Sequence, residues 1–301
     1  MKVAAGIVLY NPDKERFVES LQSIQKQVDK IFIFDNGSDI LESELPPEVV
    51  YVTKNENVGL AYALNKVMEM ADKAGYNWVI TMDQDSVIPA GLVNAFKEKI
   101  GENKIGIICP QVIDTRRPYM NVKQEPKEEY IQFCITSASC TSVECWKQIG
   151  KFDEWLFVDL IDNDFCKRLI SSGYKILRLN TYVLNQEFGK IEPKSEGKQR
   201  FWLWLSKILR NKNIAKFSYK KYVSPFRVYY TNRNIIYLNR KLKNYGPVGY
   251  RDNYNCNGYM GFLVCFCIPS LLRAQNKIKV LMAIINGMKA GMRAEVKEWK
   301  V

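Results

Sequence analysis

Asp83 and Asp85, at the end of the strand-like run NWVITMDQDS (residues 77–86), are the side chains whose type and spacing point most directly to chemistry. In an extended chain residues i and i+2 face the same way, so a strand that persists through both brings two carboxylates to one spot at a sheet edge. Paired hard oxygen ligands suit Mg²⁺ or Mn²⁺, with a substrate's phosphates completing the shell. A nucleotide diphosphate is the matching ligand. The same spacing fits a solvated acidic turn, so the surrounding elements must decide. A second acidic group lies in DEWLFVDLIDNDFCKRL, where Asp159, Asp162 and Asp164 fall within a six-residue stretch.

The elements that position these residues alternate. Val3 to Tyr10 is a continuous apolar run, as expected of a strand covered on both faces, and Asn11-Pro12 breaks it. Phe17 to Val28 reads as a helix. Ile31 to Phe34 is a second strand ending at Asp35, Asn36 and Gly37, and Val49 to Thr53 is a third. NENVGLAYALN leads into a helix running to Ala74, followed by the strand that ends at Asp83. This β-α-β-β-α-β order implies a mostly parallel sheet, whose ligands bind beyond the carboxyl ends of the strands. Asn11, Asp35, Asn57 and Asp83 all fall at that edge. Further on come a strand at Ile105 to Cys109, an exposed polar loop from Asp114 to Glu129, a helix start near Ser142 and a last strand over 174–184. Helices follow from Gln199 onward, and the expected division is 1–195 for an α/β domain and 196–301 for a basic helical region.

Charge is split the same way. The 301-residue chain is 47% hydrophobic, enough for a sizeable core, and carries a net +12. Residues 1–190 hold 22 Lys and Arg against 27 Asp and Glu, whereas residues 191–301 hold 22 against 5. The second part suits an anionic surface, lipid headgroups or nucleic acid, or else forms a basic solvated face. No aromatic-interleaved RNA motif or basic recognition helix is evident. There is no histidine, which excludes Cys/His zinc sites and His-based triads. Eight cysteines without a repeated pair spacing read as free core thiols of a reducing compartment.

The start, MKVAAGIVLYNPD, is signal-like for ten residues but turns polar at Asn11 and reads as a buried first strand. The apolar stretch from Gly258 to Leu272 contains Pro269 and falls short of the roughly 20 residues that span a bilayer. After it, Ile278, Leu281, Met282, Ile285, Met288 and Met292 recur at helical spacing with Lys277, Lys289 and Arg293 alongside. Such a helix lies in a membrane interface or packs on a core.

Together VLYNP (8–12), FDNGSD (34–39), NVGLAYALN (57–65), TMDQDS (81–86), VDLIDNDFCKR (158–168) and SPFRVYYTNRN (224–234) resemble, in order and spacing, the inverting family 2 glycosyltransferases of the GT-A fold, in their rhamnosyltransferase-like branch. The resemblance covers nearly the whole chain. It implies a Rossmann-like α/β fold with a C-terminal helical extension, and transfer of a sugar, first of all L-rhamnose from dTDP-rhamnose, to a polysaccharide or lipid-linked saccharide. UDP-hexose or UDP-galactofuranose is the alternative donor. By the same resemblance Tyr10 and Asn11 line the base pocket, Asp35 accepts from the pyrimidine N3–H, and Asn57 and Gly59 close on the ribose and diphosphate. Asp83 and Asp85 hold Mg²⁺ or Mn²⁺, and Asp162 is the general base, its proton affinity raised by Asp159 and Asp164. It departs at Ile161, where relatives commonly have Glu, and at Asn185, where they commonly have His. The enzyme so implied works in the cytoplasm, peripheral on the inner face of the membrane. Two other readings compete: DQDSV also fits the nucleophile motif of haloacid-dehalogenase-type phosphatases, with Asp83 phosphorylated, and the basic C-terminal part also fits a non-catalytic membrane binder.

Overall fold

A computed structural model describes residues 1–38, 45–102 and 104–301; Asp39, the last residue of FDNGSD, lies outside the described residues. The chain divides into two compact units: Met1–Ile113 with Val122–Gln186 and Val301, and Asp114–Asn121 with Glu187–Lys300.

The first unit is an eight-stranded sheet flanked by helices. Its elements are β1 (Val3–Leu9), α1 (Lys14–Gln25), β2 (Lys30–Asp35), β3 (Val50–Thr53), α2 (Leu60–Lys73), β4 (Trp78–Asp83), α3 (Leu92–Lys99) and β5 (Ile105–Ile113). They continue with β6 (Glu128–Ile131), β7 (Ser139–Ser142), α4 (Val143–Gln148), α5 (Ile161–Ser171) and β8 (Lys175–Asn185). The strand order is β3-β2-β1-β4-β7-β5-β8-β6. β1 pairs in parallel with β2 and β4, β2 with β3, and β5 with β8, while β7 and β6 run antiparallel to their neighbours. Every residue of β1 is buried, as its unbroken apolar run requires. Ile7, Leu9, Ile33 and Ile80 are fully buried in one core cluster. The first helix begins three residues earlier than the apolar spacing suggests, because the Asp13 carboxylate accepts the Arg16 N–H at 3.1 Å and caps it.

The second unit begins before the expected boundary at 195. Its β9 (Ile191–Pro193) pairs antiparallel with β10 (Tyr219–Lys221), a small ribbon that the sequence reading missed. Asp114, expected in an exposed loop, is fully buried and ties residues 114–121 to this unit. Its carboxylate accepts from Arg116 Nε and Arg117 Nε at 2.9 Å each and from the Phe188 N–H at 3.1 Å. Burial pushes its pKa up, but these donors outweigh burial and hold it at about 2. The helices are α6 (Glu196–Ile208), α7 (Lys212–Ala215), α8 (Pro225–Lys241), α9 (Tyr250–Tyr254), α10 (Gly258–Phe262), α11 (Ile268–Arg273) and α12 (Lys277–Arg293).

Tyr250–Arg273 is long and apolar enough by composition to cross a membrane. The helix breaks, however, where Asn255 takes a left-handed conformation. The uninterrupted part, Gly258–Arg273 with its π-helical turn at Leu263–Cys267, reaches about 24 Å at 1.5 Å per residue, under the roughly 30 Å of a hydrocarbon core.

α12 packs on α8 through Val280, Ala283, Ile284, Gly287 and Gly291. A Cβ on Gly287 would lie 2.5 Å from the Tyr229 carbonyl oxygen, and one on Gly291 2.5 Å from that of Arg233, so only glycine allows this approach. Arg240 donates to the carbonyls of Gly291, Met292 and Ala294 at 2.8, 2.8 and 3.0 Å, closing the helix end. The apolar row seen in the sequence points the other way: Ile278, Leu281, Met282, Ile285 and Met292 are all exposed. Gly291→Ala should therefore destabilise the protein by about 1–3 kcal/mol despite alanine's better helix propensity, measured by denaturant unfolding. A neutral or stabilising result would show that the helices have room.

Candidate active site

The parallel register aligns the strand ends. Leu9 stands opposite Asp35 and Val8 opposite Asp83, so the turns after β1, β2 and β4 share one edge. β4 stops at Asp83, and Gln84 and Asp85 form a tight turn closed by the Ser86 N–H donating to the Asp83 carbonyl at 3.2 Å. Strand periodicity therefore does not bring the two carboxylates together. A buried amide does: Gln186 Nε2 stands 3.4 Å from Asp83 Oδ2 and 3.4 Å from Asp85 Oδ1. Ser86 Oγ donates to Gln186 Oε1 at 2.5 Å and lies 2.6 Å from Ser137 Oγ, which accepts the Asp83 N–H at 3.3 Å.

The residue facing the acids is thus Gln186. Asn185, singled out in the sequence, is the exposed last residue of β8. Only the topology reveals this, because β8 runs parallel to β5 and ends at the edge where β4 ends.

Gln84 ties this turn to β1. Its Oε1 accepts the Tyr10 N–H at 2.8 Å and its Nε2 donates to the Tyr10 carbonyl at 3.2 Å, leaving the Tyr10 ring about half exposed. Asn11 adopts φ 46° and donates its N–H to Ser38 Oγ at 2.9 Å. Asp35 is fully buried, with Tyr51 O–H and the Ser38 N–H each donating to its carboxylate at 2.8 Å. Among the described residues these donors leave one further lone pair on each oxygen.

Asn57 is committed within its own loop region, its Oδ1 accepting from the Gly59 N–H and from Asn36 Nδ2 at 3.0 Å each. The start of α2 is less open than an anion cradle requires. The Leu60 N–H donates to the Phe157 carbonyl at 2.6 Å, and Gly59, at φ 91°, has no room for a Cβ, which would fall 2.7 Å from the Phe157 ring.

Phe157, Asp159 and Leu160 have φ of 52°, 67° and 63°, a conformation costing about 1–3 kcal/mol at each non-glycine residue and typical of functional loops. They deliver Asp162 to the first turn of α5, half-buried in a crevice with Thr81, Cys134, Thr136 and Phe165. Thr81 lies two residues before Asp83 on β4. Burial raises the Asp162 pKa to about 7, opposed by the Asn163 N–H that donates to its Oδ1 at 2.9 Å and reinforced by Cys134 and Asp159. A helix N-terminus favours the carboxylate form, so burial outweighs the dipole here.

Asp164 does not join this group. It is buried against Arg168, whose Nε and Nη2 donate to Asp164 Oδ2 at 2.9 and 2.5 Å while its Nη groups also donate to the Ile149 and Lys151 carbonyls. Its carboxylate is thus paired with that guanidinium, and the charged groups that raise Asp162 most are Cys134 and Asp159.

Residues 5–149 match the family model described as glycosyl transferase family 2. That match takes in just under half of the 301 residues. Over 189 residues it is 25% identical to a protein of Shigella flexneri named dTDP-rhamnosyl transferase RfbF, covering 57% of this chain and 64% of that one. The chain thus spans somewhat under two thirds of that curated relative. Among solved structures, GalNAc-T7 with UDP, GalNAc and Mn²⁺ superposes with a TM-score of 0.53 at 12% identity, over 89% of this chain and 56% of that one. TarS from S. aureus gives 0.51 at 13%, over 97% and 55%. At such identities the likeness is one of fold, and the fold is of the GT-A kind.

Two measurements separate Asp162 from Asp164. Asp164→Ala leaves a buried guanidinium unpaired and should cost about 3–5 kcal/mol in denaturant unfolding. Asp162 has its pKa raised in the folded state, so the stability tied to its proton is fully present at low pH and lost as pH rises through about 7. Asp162→Asn should therefore melt higher than the parent protein at pH 8, with the gain fading at acid pH. No pH dependence of that difference would refute the raised pKa.

Proposed function

We propose that this chain is an inverting glycosyltransferase that moves a sugar, L-rhamnose from a dTDP donor, onto a saccharide or lipid-linked saccharide. The observation that carries the reading is the pairing of two sites on one strand. Asp83 ends β4 and Asp85 lies in the turn beyond it, and Asp162 lines a crevice that includes Thr81 of the same strand. A carboxylate with a pKa near neutrality is suited to general-base work, which is worth ~10²–10⁴-fold. The relative named as a dTDP-rhamnosyl transferase supports the donor, and a UDP-sugar is the alternative.

In this mechanism Tyr10 and Asn11 flank the nucleotide base, and Asp35 offers its remaining lone pairs to the ring N3–H. Asn57 holds Asn36 and Gly59 in the loop that borders the ribose and diphosphate. The oxygens of two carboxylates gathered at one spot fit a hard divalent cation, so Asp83 and Asp85 would hold Mg²⁺ or Mn²⁺. Such an ion supplies charge neutralisation for the departing diphosphate. Gln186 keeps the two carboxylates oriented. Asp162 takes the proton of the acceptor hydroxyl as its oxygen bonds to the anomeric carbon and the bond to the diphosphate breaks. One displacement inverts the anomeric centre. Asp159 adds negative field behind the base, and Asp164 is left with a structural part.

The basic unit, residues 187–300, serves the acceptor side and holds the enzyme on an anionic bilayer at the cytoplasmic face. Exposed apolar rows on α12 and on Met260, Val264, Ile268 and Leu272 support this, as do eight free cysteines suited to a reducing compartment.

Asp162→Asn should lower transfer on the order of 10²-fold or more while leaving donor affinity unchanged. In the parent enzyme the rate should climb with pH through about 7 and level above it. Asp85→Ala should weaken binding of dTDP in the presence of Mn²⁺, read by calorimetry. An active Asp162→Asn enzyme would show that another group is the base, and a covalent phosphate at Asp83 would overturn the reading in favour of a phosphatase. Co-sedimentation with anionic vesicles should fall steeply with salt, since each surface lysine or arginine adds about 1 kcal/mol of attraction at low salt. Equal binding to neutral vesicles would remove the electrostatic part.

A further inference from the structure

The second unit contains a groove that none of the site residues above explains. It lies between the β9–β10 ribbon and α6, has a volume of about 620 Å³ and is lined by Pro193, Lys194, Lys198, Phe201, Trp202 and Lys220. That is the size of a small-molecule site rather than of a bound water or ion.

Three ammonium groups from three different segments border it. Lys194 is half-buried, and its near charges are Arg273, Lys198 and Lys220, all cations, which with burial lower its proton affinity. Two carboxylates lie close by in the chain. Glu192 stands opposite Lys220 on the ribbon, and Glu196 is ion-paired with Arg200 at 3.3 Å; neither lines the groove. Among the described residues no ion pair engages Lys194, Lys198, Lys220 or Arg273. Like charges held together without a counter-charge are unfavourable until an anion arrives.

The other wall is aromatic. Phe201 is about half exposed, Trp202 meets Phe201 edge to face and Phe217 at a tilt with centroid distances of 5.3 and 5.2 Å, and Lys194 Nζ stands 5.9 Å over the Trp202 ring. Lysine ammoniums act as point charges well matched to phosphate oxygens. An aromatic wall beside them matches an apolar chain.

We propose that this groove binds the phosphate or pyrophosphate of a ligand that carries an apolar chain, with Lys194, Lys198 and Lys220 around the anion and Phe201 and Trp202 along the chain. The assignment deepens the reading of this unit as the acceptor side and rests on it for the ligand's role, while the phosphate contact stands on the groove itself.

The test uses the full chain with EDTA present, which silences metal-assisted binding at Asp83 and Asp85. Farnesyl pyrophosphate, inorganic pyrophosphate, farnesol and phosphatidylglycerol vesicles are the probes. Farnesyl pyrophosphate below its micellar concentration should bind tighter than either pyrophosphate or farnesol. Lys194→Ala/Lys198→Ala/Lys220→Ala should weaken it on the order of 10²-fold. Phe201→Ala should weaken farnesyl pyrophosphate and leave pyrophosphate unaffected. In a separate titration without EDTA, binding of dTDP with Mn²⁺ should be the same in the triple variant and the parent, which checks folding and keeps the donor site's fate separate. Undiminished binding by the triple variant overturns the proposal, as does equal affinity for pyrophosphate and its farnesyl ester. Binding to vesicles without binding of the monomeric ester overturns it too, and makes the lysines part of a bilayer contact.

Discussion

Hydrogen bonding between β1 and its two parallel neighbours places the ends of three strands at one level, and the proposed donor site depends on that alignment. The register that sets Leu9 against Asp35 and Val8 against Asp83 also brings Tyr10, Asn36 and Gln84 to the same edge. A sheet buried on both faces holds this register firmly, because slipping by one residue exchanges the residues packed against each helical layer. The loops beyond the edge can then be polar and irregular without losing their positions.

The shared edge of strand ends was largely legible in the sequence. Apolar runs ending in Asn, Asp or Gly mark strands with polar ends, and their alternation with helical segments fixes which ends coincide. Gln186 was not legible, since its relevance arises only when β8 lies parallel to β5 and delivers its end beside Asp83 and Asp85. Asp164 misled for the opposite reason: its spacing from Asp162 suggests a shared field, whereas the four-residue step to Arg168 gives it a buried partner. In α12 the apolar repeat identified a helix but not its packed face. Small residues made that choice, since Gly287 and Gly291 admit the backbone of α8 more closely than methionine or isoleucine could.

Asp162 illustrates how one environment serves two ends imperfectly. Its seat in the first turn of α5 and the Asn163 N–H stabilise the carboxylate, while burial beside Phe165 and Cys134 disfavours it. The outcome is a carboxyl group close to the midpoint of its titration at neutral pH. It can take up a proton without being so acidic that the transfer is uphill.

Gly59 and Phe157 meet so closely that the segment opening α2 and the left-handed run before Asp162 form one mechanical piece. The two segments are nearly a hundred residues apart in the chain, yet neither can drift in sequence on its own. Any side chain larger than hydrogen at Gly59 must displace Phe157, and with it the backbone that aims Asp162. Divergence within this fold is therefore expected to leave that contact intact or to rebuild both loops together, so a change worked into the first loop carries over into the geometry around Asp162.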